Sequence, residues 1–137
     1  MSDRSLVIET TALDRTSDLR VLIVDDDRRV RQSLAGLISL RERLTVVGTA
    51  GTPERALELA GVEAPDAVVI DLRLPEVEDG IDLLGELLRT NPGICVVAMS
   101  VSPDVREIAL AAGARAFVSK SDDSEAIGDE LLRALTH

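Results

Sequence analysis

The sequence predicts a doubly wound α/β domain: a five-stranded parallel sheet with five helices on its two faces. Two observations carry that prediction. Short apolar runs rich in Val and Ile alternate strictly with segments whose apolar residues recur at helical spacing. Strict βα alternation implies parallel strands joined by right-handed crossovers. The composition agrees, because 45% of the 137 residues are hydrophobic while Phe117 is the only Phe, Tyr or Trp. A core of Leu, Val, Ile and Ala suits strands buried on both faces, and the length fits one domain.

The elements run in order along the chain. Residues 1–18 are polar without a sustained period and read as a flexible lead-in, with a short Leu6-Val7-Ile8 run. Residues 21–24 form the first strand, and Val30, Leu34, Leu37 and Ile38 the apolar face of the first helix. Residues 45–47 are the second strand. Thr52-Pro53 then offers an N-cap with proline at the first helical position, and Gly61 is the expected left-handed stop of that helix. Residues 67–70 are the third strand. The next helix places Ile81, Leu84, Leu87 and Leu88 on one side, and Asn91-Pro92-Gly93 breaks the chain before a fourth strand at 94–99. Ser102-Pro103 repeats the cap signal. Val105, Ile108, Ala109 and Ala112 form the fourth helical stripe, which Gly113 ends. A fifth strand at 114–118 precedes a helix with Ile127, Leu131 and Leu135 inward.

Charge narrows the function classes. The formal net charge is −10, which disfavours direct binding to nucleic acid or an anionic membrane. Cys95 is the only cysteine, so no disulfide framework forms and a reducing compartment, the cytoplasm, is expected. Apolar runs are strand-sized, too short for a membrane span or a signal sequence.

In open parallel sheets, ligands sit beyond the carboxyl ends of the strands, where the strand order reverses. For the flavodoxin-like order 2-1-3-4-5 that point lies between strands one and three. Strand one ends in Asp25-Asp26-Asp27, strand three in Asp71, strand four in Ser100 and strand five in Ser119-Lys120. Each residue alone has an ordinary reading. Asp27 reads best as the cap of a helix starting at Arg28, Asp71 as a turn cap, Ser100 as a hydroxyl bonding its own loop, and Lys120 as a solvated lysine. Together they point elsewhere. Two carboxylates about 4 Å apart repel by roughly 4 kcal/mol at an effective dielectric near 20, so gathering three of them calls for a hard divalent cation such as Mg²⁺. One carboxylate then serves as nucleophile towards phosphorus, with Lys120 and Ser100 as donors to the phosphoryl oxygens.

At these residues the chain resembles two-component response-regulator receiver domains. The resemblance rests on residues 21–27 (VLIVDDD), 69–75 (VIDLRLP), 97–100 (VAMS) and 113–120 (GARAFVSK), and covers residues 19–135. It implies a receiver domain over residues 19–137 that takes a phosphoryl group on Asp71 from a sensor histidine kinase or a phosphotransfer protein. It implies that Asp26 binds Mg²⁺ directly, that Asp25 acts more through water, and that the backbone carbonyl of Arg73 is a further ligand. Ser100 and Lys120 would engage the phosphoryl group. Phe117 would report the switch through packing alone, since it lacks a hydroxyl; its plain alternative is core filling. The switched face would be the fourth helix, fifth strand and fifth helix, acting on a downstream partner or output domain, with homodimerisation on phosphorylation. Such a chain is a signalling switch rather than an enzyme.

Three departures from the family pattern bear on rate and lifetime. The loop over residues 74–80 is one residue longer and more acidic than usual, Val101 follows Ser100 where a small residue is common, and Ser121 follows Lys120 where proline is common. Two rival readings come from other classes. One is a pseudo-receiver, an interaction module with the fold but without the phosphorylation. The other is a haloacid-dehalogenase-like phosphotransferase using Asp25, but the usual Thr or Val step after the Asp-x-Asp is missing, and no cap domain fits this length. No helix-turn-helix pattern or basic stripe follows the fifth helix. The chain therefore reads as a stand-alone receiver or the receiver piece of a longer regulator. Residues 113–120 are similar to receivers that precede a helix-turn-helix output domain.

Overall fold

In a computed structural model of the chain, residues 18–120 and 124–136 are described; the predicted lead-in, save Asp18, and Ser121 lie outside them. Five strands are described, β1 (Leu19–Val24), β2 (Leu44–Ala50), β3 (Ala67–Asp71), β4 (Cys95–Ser100) and β5 (Ala116–Ser119). They pair in parallel in the order β2-β1-β3-β4-β5. The helices are α1 (Arg28–Ser39), α2 (Pro53–Glu63), α3 (Val77–Thr90), α4 (Arg106–Ala111) and α5 (Ser124–Thr136), with a 3₁₀ turn at Pro103–Val105 leading into α4. This is the doubly wound, flavodoxin-like fold that the alternation predicts.

Every residue of β3 is buried, as expected of a central strand covered on both sides. One core, built around Leu22, Val68, Ile70 and Val96, packs α2, α3 and α4 against one face. A second, around Ile23, Val69, Val97 and Met99, takes α1 and α5 through Leu34, Ile38, Leu131 and Leu135. Alternate residues of each strand feed opposite layers, which is why nearly continuous apolar runs were needed. No helix among the described residues is long and apolar enough to cross a membrane.

The β1–β2 ladder slips by one residue, so that Val21 faces Val46 and Leu22 faces Gly48, with Val47 left over. The slip brings Ala50 opposite Val24, and Asp25 N–H donates to the Ala50 carbonyl at 3.0 Å. The end of β2 is thereby fixed beside the first aspartate.

Four local expectations are corrected. Gly61 lies inside α2. The left-handed residue that stops that helix is Ala64, at φ 48°, immediately before Pro65, which disfavours a helical conformation in the residue preceding it. Ser102 makes no side-chain cap bond, and it leads into the 3₁₀ turn rather than directly into an α-helix. Ile108 is 52% exposed while Val105 and Ala109 are buried. The 3₁₀ turn advances at three residues per turn, so the stripe that enters α4 is out of phase with a continuous α-helix. Finally, residues 77–80 are not loop. They form the first turn of α3, capped reciprocally by Glu76 and Asp79, with Asp79 accepting from Glu76 N–H at 3.0 Å. The acidic run thus serves partly to start a helix. Gly113 does adopt a left-handed conformation (φ 115°), as predicted.

An acidic pocket at the switch point

The predicted strand-end residues converge. Asp25, one residue beyond β1, is fully buried, and Asp71, the last residue of β3, is 7% exposed. Asp26 is exposed beside them, and one carboxylate oxygen from each of Asp25, Asp26 and Asp71 lies within 4.8 Å of the others. Asp27 stands apart from this set as the cap of α1, accepting from Arg29 N–H at 2.8 Å.

Asp25 is held at every polar atom. Its N–H donates to Ala50, its Oδ1 accepts from Asp27 N–H at 2.9 Å, its Oδ2 accepts from Lys120 Nζ at 2.9 Å, and its carbonyl accepts from Arg31 Nη1 at 2.7 Å. Asp71 accepts from Arg73 N–H at 3.2 Å on Oδ1 and from Lys120 Nζ at 3.1 Å on Oδ2. Lys120 is therefore not a solvated lysine; its side chain is 18% exposed and its ammonium bridges two carboxylates. Its own N–H donates to the Ser100 carbonyl at 3.0 Å, tying the end of β5 to that of β4. Ser100 is buried, and its Oγ accepts from Ser102 N–H at 3.1 Å, so the loop-bonding role read from sequence is present too. Phe117 is 5% exposed and packs in the α2–α3–α4 core. Val101 is 57% exposed at the rim.

The electrostatics are asymmetric because one cation serves two acids. Burial pushes the Asp71 carboxyl above its ordinary value; Lys120 opposes that shift and the Asp25 charge adds to it. For Lys120, burial acts to lower the value, but the hydrogen bond to Asp25 and the charges of both aspartates prevail and hold it above the usual lysine range. The ammonium has partners to spare, whereas Asp71 has half a cation.

Sequence reasoning missed Arg31 and Gly80. The first lies in α1 and reads as a surface arginine. The second is held by shape: a Cβ on Gly80 would stand 2.0 Å from the Leu72 carbonyl oxygen, so only glycine lets α3 start this close to the segment after Asp71. The spacing from Pro75 was the available signal, but not its reason.

A parallel α/β domain with three carboxylates, a lysine and a hydroxyl gathered at its switch point is the architecture of a signal-receiving domain. The chain belongs to the response regulator receiver domains, whose family pattern matches residues 21–132. It is 38% identical over 105 residues to protein-glutamate methylesterase/protein-glutamine glutaminase 1 of Albidiferax ferrireducens, covering 74% of this chain and 28% of that protein. It is 37% identical over 113 residues to the transcriptional regulatory protein PdtaR of Mycobacterium tuberculosis, covering 81% of this chain and 54% of the relative. The chain thus spans only a part of these curated relatives. Among solved structures, it matches the signal receiver domain of a response regulator from M. tuberculosis with a TM-score of 0.76 at 28% identity, over 88% of this chain and 98% of that one. It matches the response regulator domain of Thermotoga maritima CheB with a TM-score of 0.74 at 28% identity, over 87% and 94%. Receiver domain of a two-component response regulator is therefore the class of this chain.

Proposed function

We propose that Asp71 is the phosphoacceptor of a receiver spanning residues 19–137, supplied by a sensor histidine kinase or phosphotransfer protein. The observation that carries this is the shared lysine, 2.9 Å from Asp25 and 3.1 Å from Asp71, beside three carboxylates within 4.8 Å. An all-oxygen, hard donor set of this kind fits Mg²⁺, with Asp25, Asp26 and Asp71 as side-chain ligands and the Arg73 carbonyl as a backbone one. When bound, the metal neutralises the carboxylates and screens the incoming phosphoryl oxygens.

The residues divide the remaining work. Asp71 attacks phosphorus through a carboxylate oxygen; the phosphorus–nitrogen bond of the donor's phosphohistidine breaks, its electron pair stays with the imidazole, and an acyl phosphate forms. Lys120 shifts from the carboxylates towards the phosphoryl oxygens, as a point charge. Ser100 keeps its oxygen on the Ser102 amide and turns its O–H to the same group. Asp25 is the poorer nucleophile of the two, its side chain being 0% exposed against 10% for Asp71, which disfavours the dehalogenase-like reading. An open cavity of about 230 Å³ between α1 and α5, lined by Arg29, Leu37 and Ile127, reaches Lys120 from outside.

Signalling follows from the ties around Lys120. Because its amide holds the Ser100 carbonyl, a pull on the ammonium moves the ends of β4 and β5 together. The change reaches α4, β5 and α5, where Phe117, Arg106, Leu110 and Arg133 line a cavity of about 320 Å³ facing outward. A downstream partner, an output domain or a second copy would read that face as a population shift, to which a few kcal/mol suffices. Acetyl phosphate with Mg²⁺, followed by intact mass, tests the acceptor. A phosphate adduct on wild type and none on Asp71→Ala is expected. An adduct retained by Asp71→Ala would sink the assignment, and no adduct from either acetyl phosphate or the cognate kinase would favour a pseudo-receiver.

A further inference from the structure

We infer that Arg31 is a positioning residue for the acidic pair, and that position 51 is glycine to give its guanidinium room. The inference rests on the phosphoacceptor reading above. Arg31 belongs to the first turn of α1, and its amide donates to the Asp27 carbonyl at 3.0 Å. Its side chain then reaches back, and Nη1 donates to the Asp25 carbonyl at 2.7 Å. That carbonyl is part of the peptide plane joining Asp25 to Asp26. Asp25 is already fixed through its N–H and both carboxylate oxygens. Asp26 is exposed, so the orientation of this peptide plane decides where its carboxylate starts from. A charged donor on a buried carbonyl is a strong and directional restraint.

The same Nη1 is the guanidinium atom nearest to Gly51, just beyond β2. A Cβ there would stand 2.7 Å from Arg31 Nη1, so the guanidinium would have to swing away from its present place to admit it. Gly51 has no left-handed conformation to explain it; only Gly113 and Ala64 have positive φ among the described residues. The space for Arg31 is its physical reason. The one-residue slip in the β1–β2 ladder sets that spacing, since it places Ala50 opposite Val24. Arg31 and Gly51 therefore act as a unit from outside the pocket, as the partners that orient metal ligands do elsewhere.

The experiment is titration of the metal-free protein with MgCl₂ by calorimetry, with amide exchange at Asp26 measured before metal is added. Arg31→Ala is expected to weaken Mg²⁺ about tenfold and to speed exchange at Asp26. Arg31→Lys, whose ammonium can still donate to the carbonyl, recovers part of the loss. Gly51→Ala reproduces the Arg31→Ala defect by displacing the guanidinium, and adds less than twofold in the Arg31→Ala background. Affinity within about twofold of wild type in Arg31→Ala overturns the inference alone, as does full additivity in the double variant. Wild type that takes up no Mg²⁺ overturns the Mg²⁺-dependent phosphoacceptor reading and this inference with it. Where Arg31→Ala does not fold, the comparison of Arg31→Lys with Gly51→Ala decides: equal affinities close to wild type overturn it.

Discussion

Replacing Lys120 with Met tests the charge balance of the pocket most directly. The side chains concerned are 18%, 0% and 10% exposed for Lys120, Asp25 and Asp71. Met keeps the stem and removes the ammonium, leaving two buried carboxylates with one backbone donor each, Asp27 N–H and Arg73 N–H. Removing one partner of a buried ion pair typically costs 3–5 kcal/mol. Because Asp26 is exposed and the Lys120 side chain is itself 18% exposed, the low end applies. We expect a loss of about 3 kcal/mol without metal at pH 7, or a fall in Tm of about 10 °C for a domain of this size. The pH dependence has a defined sign. Burial, aided by Asp25, already holds Asp71 above its ordinary value, and Lys120 is the group that opposes this. The folded state then binds a proton more readily than the unfolded one, so the destabilisation shrinks as pH falls through the raised value. Without Lys120 that recovery starts at higher pH. MgCl₂ should shrink the deficit as well, by binding the folded state alone. The sequence has no Trp or Tyr, so urea and thermal melts followed by far-ultraviolet circular dichroism are the suitable assay. A metal-free variant within about 1 kcal/mol of wild type, against the buried-pair expectation, would refute the reasoning. So would a deficit that widens on acidification.

Three other outcomes are expected. Asp71→Asn should raise stability at pH 7 in metal-free buffer, by roughly 1 kcal/mol as for other relieved functional sites, because burial makes its charge unfavourable; a urea melt checks this. For wild type, the stabilisation that Lys120 gains is complete below its ordinary value of 10.5 and should vanish as pH rises through its raised folded value, seen as a steep alkaline loss of Tm that Lys120→Met lacks. Gly80→Ala should destabilise by about 3 kcal/mol or more through the clash at 2.0 Å with Leu72, whereas Ala64→Gly should stabilise by about 0.5–1 kcal/mol by relieving a left-handed alanine at φ 48°; urea melts of both variants check these signs.

What was legible in the sequence divides along physical lines. Strand ends were readable because a buried parallel strand is an uninterrupted apolar run, and its end is therefore marked by the first polar or charged residues. Asp25, Asp71, Ser100 and Lys120 all announce themselves in this way, and the fold rule then brings them together. Asp27 was readable as a cap because capping is a local bond, two residues long. Features set by the approach of distant segments were not. Gly80 contacts Leu72 through space, Gly51 makes room for Arg31 from a different element, and neither closeness leaves a periodic trace. Ile108 failed for a third reason: its stripe assumed one helical period throughout, and the 3₁₀ turn at Pro103–Val105 broke the phase.

The same division says where the function of the pocket is secured. Asp25, Asp71 and Lys120 each sit at or one step past the end of a rigid strand, so the strand register fixes their mutual distances: Asp71 lies opposite Met99, and Ser100 opposite Ser119. Register is cooperative across a sheet and leaves little freedom to any one of them. Asp26 is the exception. It stands beyond the ladder on a connecting turn, exposed, and nothing in the sheet determines its direction. A pocket whose other members are placed by strands needs this one placed by a side chain. Arg31, reaching from the first turn of α1 to the carbonyl just before Asp26, is positioned to do that.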